Sequence, residues 1–324
     1  MRLIVKLAGV CCAMVLSLGS GVAAAAPTDP DATFAGGGAT TIPFAQGRSD
    51  ARGLTLAPDG KIVAVGERLN MSNLQDWVVS RSLADGSPDI SFNGNGRSQP
   101  VETSPVTGVF ASGGQSVAVQ GDGNIVVSGQ TNGPIKVGRL HGDGTTDGQP
   151  DNTFGTAGLA SITIPQSTRT EGRAIALQPD GKILVAGTAF VGGHQSVFLA
   201  RFTSAGVPDV TFSASGAVFA PDAACDQLPE GVPTDCEAHS IALEPGSGST
   251  PAAIYVGGGN VQGNVIGGRV FKFSPASGDT GWGIEAGYGT AGAAQIDRTA
   301  ANEVYALLRQ SDGRLVAVGD AQTG

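Results

Sequence analysis

The sequence predicts an all-β protein assembled from repeated antiparallel sheets. Three observations carry that expectation. One phrase returns along the chain: APDGKIVAVG at Ala57–Gly66, QGDGNIVVSG at Gln120–Gly129, QPDGKILVAG at Gln178–Gly187 and QSDGRLVAVG at Gln310–Gly319. Glycine is in excess, 51 of 324 residues, with no triplet period and beside Val/Ile/Leu runs, which argues against both collagen and disorder. Within the repeats, no apolar run has the length and 3.6-residue spacing of a helix.

The third repeat shows the elements in order. Gly158–Ile164 alternates and reads as a first strand, Arg173–Gln178 as a second, Lys182–Ala189 as a third and Ser196–Thr203 as a fourth. All are short, rich in β-branched residues and bounded by Gly, Pro, Asp or Ser. The turn inside the repeated phrase follows from its residues: Pro presets φ, Asp hydrogen-bonds nearby backbone, and Gly accepts positive φ. Asp59-Gly60, Asp122-Gly123, Asp180-Gly181 and Asp312-Gly313 are therefore expected as structural turns. A calcium site is the sharper alternative, but each turn offers one carboxylate where a calcium loop needs several ligands.

A second landmark, Pro-Asp-x-x-Phe, ends at Phe34, Phe92, Phe154 and Phe212, with a degenerate fifth copy at Tyr288. The spacings are 58, 62, 58 and 76 residues. Four antiparallel strands in such a unit cannot bury both faces alone. Packing successive sheets face to face around an axis solves this, which is a β-propeller, closed or as an open arc. Repeats are expected at 35–92, 93–154, 155–212, 213–288 and 289–324, the last incomplete, because no fourth strand follows Arg314–Gly319. The opening Thr28–Phe34 phrase elsewhere follows a fourth strand, so truncation of a longer ring is favoured over an open arc.

DNTFGTAG, AIALQPDGKILVAG and FLARFTSAGVPDVTF (Asp151 to Phe212) resemble the delta-60 repeat family, a propeller-type module of secreted bacterial proteins. The resemblance covers nearly the whole chain after residue 28 and is weakest in the fourth repeat, where Leu243–Ser249 replaces the tight turn. It implies an extracellular or envelope propeller and brings no catalytic residue, cofactor or metal ligand.

Residues 1–25 read as a signal peptide: Arg2 and Lys6, an apolar run Leu7–Leu18, and Ala23–Ala25 before the cut. The run is short for a membrane span, and no later segment replaces it. The remaining chain carries 17 Lys and Arg against 28 Asp and Glu, a balance of −11, which disfavours nucleic acid. Cys225 and Cys236 form an even pair in an exported chain, and a disulfide is expected over a zinc site lacking further ligands.

No nucleophile elbow, zincin helix or phosphate loop is present. A basic residue recurs at Arg81, Arg139, Arg201 and, loosely, Lys272. It is expected on an outermost fourth strand, covering a sheet edge or meeting Asp89, Asp151 and Asp209, rather than binding anions at an axis. His141, His194 and His239 share no position with one another. Trp77 and Trp282 are expected to pack rather than to stack on sugars. Asn70-Met71-Ser72 matches a glycosylation acceptor, relevant only to a eukaryotic route. Pro221–Glu237, acidic and Pro-rich, is the least repetitive segment and the first candidate contact surface. The expected function is a non-enzymatic scaffold or binding module of the bacterial surface or envelope, contacting a protein or glycan through its loop face. The alternative is an extracellular polysaccharide hydrolase or lyase, which axial carboxylates or an aromatic cluster would favour.

Overall fold

The computed structural model describes residues 30–42, 44, 49–69, 75–104, 113–142, 144, 146–225, 235–260, 267–276, 281–296 and 303–319. The expected signal peptide, the 70–72 acceptor and most of the 221–237 segment lie outside these. Among the described residues the only helical turns are Phe34–Gly36 and Asp222–Cys225 (α1). Everything else regular is β-strand, and every ladder is antiparallel.

The strands fall into sets along the chain. Set one holds β1 (Ser49–Leu56), β2 (Ile62–Leu69), β3 (Gln75–Ser82) and β4 (Glu102–Ser104), in that spatial order. Set two holds β5 (Gly114–Val119), β6 (Ile125–Thr131), β7 (Ile135–Leu140) and β8 (Leu159–Ile162). Set three holds β9 (Ser167–Leu177), β10 (Ile183–Val191), β11 (His194–Phe202) and β12 (Ala217–Phe219). Sets two and three join into one eight-stranded system where β6 pairs β9 at Gln130 and Thr131. Set four holds β13 (Cys236–Glu244), β14 (Ala253–Asn260) and β15 (Gly268–Pro275), with β16 (Trp282–Ile284) and β17 (Ala293–Gln295) both on the free edge of β15. β18 (Val304–Arg309) and β19 (Leu315–Gly319) form the last described pair.

The period-2 pattern explains how the sets stack. On β10, Ile183 and Val185 face set two and pack with Val126, Ile135 and Val137. Leu184 and Ala186 point the other way, onto Ile254, Val256 and Phe271 of set four. Val63, Val65 and Val79 of set one meet Val117, Ile125 and Val127 of set two in the same manner. A smaller cluster, Ala242, Val270 and Leu307, joins set four to the last pair. The core therefore lies between sheets, and each apolar side chain of an inner set is buried by a neighbour rather than by its own sheet.

The packing also fixes which strand is innermost. First strands touch first strands: β1 lies against β5, β5 against β9, β9 against β13 and β13 against β18. The strand after each Pro-Asp-x-x-Phe phrase ending at Phe92, Phe154 and Phe212 pairs with the strand before it, as β8 does with β7. This corrects the reading of Gly158–Ile164 as the opening strand of the third repeat. The phrase folds as a turn within a set, so repeat boundaries drawn at its phenylalanine cut each set before its last strand.

Candidate functional site: an axial belt of bulged residues

The four Asp-Gly corners are built alike. Gly60, Gly123, Gly181 and Gly313 have φ of +84°, +87°, +80° and +91°, and each donates its N–H to the carbonyl three residues earlier at 2.9–3.0 Å. The Asp Oδ1 of each accepts the amide of the residue after the glycine at 3.0–3.2 Å. Each carboxylate is thus occupied in holding its own hairpin.

Arg81, Arg139 and Arg201 lie on the third strands, β3, β7 and β11, not on an outermost fourth strand as expected. Each Nε donates to the following Asp, at 2.7 Å for Asp89, 2.8 Å for Asp151 and 2.8 Å for Asp209. Each guanidinium also lies over the phenylalanine of the same phrase, 4.6 Å from Phe92 and Phe154 and 4.7 Å from Phe212. The Ser or Thr inside the phrase donates to the other oxygen of the Asp at 2.6–2.7 Å. Burial would push these three carboxyls up, but those hydroxyl and amide bonds and the guanidinium hold them below the usual carboxylate value.

The same arginines fasten neighbouring sets. Arg81 reaches the Gly142 carbonyl at 2.6 Å and Asp147 at 2.6 Å, and Arg139 reaches the Ser204 carbonyl at 2.7 Å. Phe92 packs against Gly148 and Phe154 against Gly206, where a Cβ would stand within 3.3 Å and 2.9 Å of the ring. Lys272, Glu285 and Tyr288 are the looser fourth copy: the ammonium is 2.9 Å from Glu285 and 5.8 Å from the Tyr288 ring centroid. The outer side of the molecule is thus a structural lock repeated set by set.

The inner side is different. Every first strand carries a bulged residue at the same register, skipped by the ladder to its second strand: Arg52 in β1, Gln115 in β5, Arg173 in β9 (which has a further bulge at Thr168), His239 in β13 and Tyr305 in β18. The glycine that closes the repeated phrase permits the bulge. A Cβ on Gly66, Gly129, Gly187, Gly258 or Gly319 would overlap the carbonyl oxygen of Asp50, Gly113, Glu171, Glu237 or Glu303, the residue two before the bulge. A bulge re-aims its side chain, here toward the line along which first strands meet.

From set three through set four to the last pair, the bulged side chains and the neighbouring acids touch from set to set. Arg173 donates to Glu171 through Nε at 2.8 Å and Nη2 at 2.5 Å, lies 3.1 Å from Glu237, and puts Nη1 3.0 Å from His239 Nδ1. Arg169 brackets Glu171 from the other side at 3.2 Å. A guanidinium only donates, so Nδ1 accepts and the neutral imidazole carries its proton on Nε2. Nε2 lies 3.5 Å from Glu303 and 3.7 Å from Glu237, facing both carboxylates at more than the length of a well-formed hydrogen bond. The His239 ring meets Tyr305 edge to face at 5.3 Å. In set one, Arg52 pairs with Glu67 at 3.0 Å. The His239 contact pulls the Glu303 carboxyl down against the opposing effect of burial. Burial would lower the Arg173 guanidinium, but Glu171 and Glu237 outweigh it and raise it.

Three polar atoms along this belt have no partner within the described protein: Glu67 Oε2, Gln130 Nε2 and His239 Nε2. Glu67 and Gln130 are only 8% and 6% exposed. Unsatisfied buried groups of this kind call for water or a ligand.

Of the other sequence candidates, Cys225 and Cys236 form a disulfide, Cα to Cα 5.8 Å, tying α1 to the start of β13. Trp77 and Trp282 are buried in the inter-sheet cores. His141 is 3.8 Å from Asp151 and His194 is 3.9 Å from Asp235, both away from the belt. Sequence reasoning missed the belt because it compared histidines only with one another. The shared position is occupied by five stretches of different side chains, Asp50-Ala51-Arg52, Gly113-Gly114-Gln115, Glu171-Gly172-Arg173, Glu237-Ala238-His239 and Glu303-Val304-Tyr305.

Residues 57–92 and 178–212 match a family model described as "Domain of unknown function (DUF5122) beta-propeller". Both matches run from the Asp-Gly corner through the phenylalanine of the lock. No curated protein matches the chain. Among solved structures, a glucose dehydrogenase is 14% identical over 86% of this chain and 81% of its own, at a TM-score of 0.43. An endo-1,4-beta-xylanase from Bacteroides thetaiotaomicron is 11% identical over 83% and 82%, at 0.42. Sqt1 from Chaetomium thermophilum is 16% identical over 84% of this chain and 58% of its own, at 0.38. The stacked antiparallel sets and the family-model match define an all-β, propeller-type protein.

Proposed function

We propose that the protein is an exported, non-enzymatic binding module: a propeller of delta-60-type repeats, each set a blade, whose recognition surface is the axial belt. The observation that carries the reading is the pairing of an unvarying backbone device with changing side chains. Five bulges at one register present Arg, Gln, Arg, His and Tyr, whereas a structural role would be served by one residue repeated, as in the outer lock. The signal-like residues 1–25 support export to the surface or envelope, where the partner is a protein or glycan.

The belt carboxylates Glu171, Glu237 and Glu303 also favour a second reading, a polysaccharide-acting enzyme. General acid catalysis needs a carboxyl raised toward neutrality. Glu303 is held low instead, and Glu171 is bracketed by Arg169 and Arg173, so binding is the better-supported reading. The test presents the wild-type protein and a His239→Ala/Tyr305→Ala variant to glycan and peptide arrays, and assays the retained polysaccharides for new reducing ends or unsaturated sugars. Retention by the wild type alone without cleavage is expected. Equal retention by both removes the belt from the reading, and cleavage replaces binding with catalysis.

A further inference from the structure

We infer that the axial belt takes a neutral saccharide; the inference rests on the belt being the recognition surface. Three features of the belt select this chemistry together.

The first is the mixture of unpartnered groups. Glu67 Oε2 only accepts and Gln130 Nε2 only donates, each without a partner, and His239 Nε2 adds a donor beside the Glu237 and Glu303 carboxylates. A ligand that satisfies them must both donate and accept at several points, as vicinal hydroxyls do and as ammonium or carboxylate groups do not. The carboxylate–guanidinium pairs beside them, Arg52 with Glu67 and Arg173 with Glu237, offer acceptor and donor at adjacent positions for the same hydroxyl pattern.

The second is charge. Glu67, Glu171, Glu237 and Glu303 stand with three guanidiniums, those of Arg52, Arg169 and Arg173. Among the described residues, four acids against three bases leave the belt net negative, which repels uronates, sulfated sugars and phosphates. The third is Tyr305, whose half-buried ring borders His239. It supplies an apolar face for the C–H side of a pyranose beside hydrogen-bonding groups.

The tryptophans, the usual first candidates for such a platform, are buried between sheets and take no part. The ligand is recognised by hydroxyl pattern at the axis, with Gln130, His239 and Tyr305 as the residues that read it.

Calorimetric titration of the intact chain with a neutral hexasaccharide series (xylose-, mannose- and glucose-based), an oligogalacturonate and spermidine tests this. The expected result is binding of at least one neutral oligomer, weakened about tenfold or more in Tyr305→Ala and in Gln130→Leu, with the oligogalacturonate at least about tenfold weaker. His239→Gln, which keeps a donor amide, is expected to retain more affinity than His239→Ala; melting temperatures confirm that each variant is folded. Belt-dependent binding of spermidine or of the oligogalacturonate in preference to every neutral sugar overturns the saccharide inference and leaves the belt as a binding site. Binding of a neutral sugar that is indifferent to all three substitutions overturns the belt itself. No binding to any of these probes overturns the saccharide assignment.

Discussion

The outer edge and the axial belt use repetition in opposite ways. At the outer edge, Arg81, Arg139 and Arg201 make the same three contacts: an ion pair to the following Asp, a stack on the following Phe, and a place beside the phrase's hydroxyl. At the axis the backbone repeats, a bulge opposite a glycine, while the side chain changes among four residue types over the five copies. Where geometry and residue both repeat, the chemistry is internal and satisfied. Where only geometry repeats, the scaffold holds side chains free to differ, which is how a rigid frame is adapted to a ligand.

Substitutions can break that contrast, and the largest effect belongs to the lock. Arg139→Ala leaves Asp151 buried without its cation, removes the stack on Phe154 and cuts the tether to Ser204. Loss of one member of a buried pair costs about 3–5 kcal/mol, read as a fall in the urea midpoint at unchanged m-value. A loss below about 1 kcal/mol would class the lock as a surface ion pair and dissolve the distinction. Next comes the Cys225–Cys236 bridge, which closes an 11-residue separation. Replacing both cysteines with serine is expected to cost about 2–4 kcal/mol, measured by thermal unfolding of the oxidised wild type against the variant.

Gly187→Ala tests the backbone half of the belt. Its Cβ would overlap the Glu171 carbonyl, so the strand must shift at a cost of about 1–3 kcal/mol. The shift also moves Arg173 away from His239, visible as a change in the His239 ring resonances. Unaltered stability and resonances would show that the glycine is incidental to the bulge.

These contrasts were unequally legible in the sequence. Asp180-Gly181 between Ala174–Leu177 and Ile183–Val185 announces a hairpin, because turn chemistry and alternation are both local. The Asp151 partner of Arg139 was also within reach, being twelve residues away in a repeated phrase. The place of β8 was not: the segment after Phe154 alternates like any strand, and only pairing across the turn shows that it completes the preceding set. The belt was hidden for a related reason. A bulge is a property of register between two strands, and Arg173 looks like an ordinary polar residue until Gly172 and Ala174 are seen to pair with successive residues of β10.

Acid titration reads the lock through its carboxylates. Asp89, Asp151 and Asp209 have folded values below the ordinary 3.8. A depressed folded value adds stability that is fully present above the unfolded value and is lost as pH falls through the folded one. Urea midpoints are therefore expected to fall as pH drops below about 5, and the Asp151→Asn variant, already lacking one such carboxylate, should show a shallower acid limb. An identical limb in the variant would place the acid sensitivity elsewhere.

The smallest effect is expected at the belt itself. Gln115 is the bulged residue of β5, half-buried, and its backbone carbonyl, not its side chain, faces Gly53 of the neighbouring first strand. Gln115→Ala should change stability by no more than about 0.5 kcal/mol, because the bulge is held by Gly129 and the Gln130 amide bond to the Gly113 carbonyl rather than by the amide side chain. A cost approaching that of Arg139→Ala would mean that the bulged side chains brace the axis. The varied residues at one register would then be separate solutions to packing, and the belt would lose its claim to recognition.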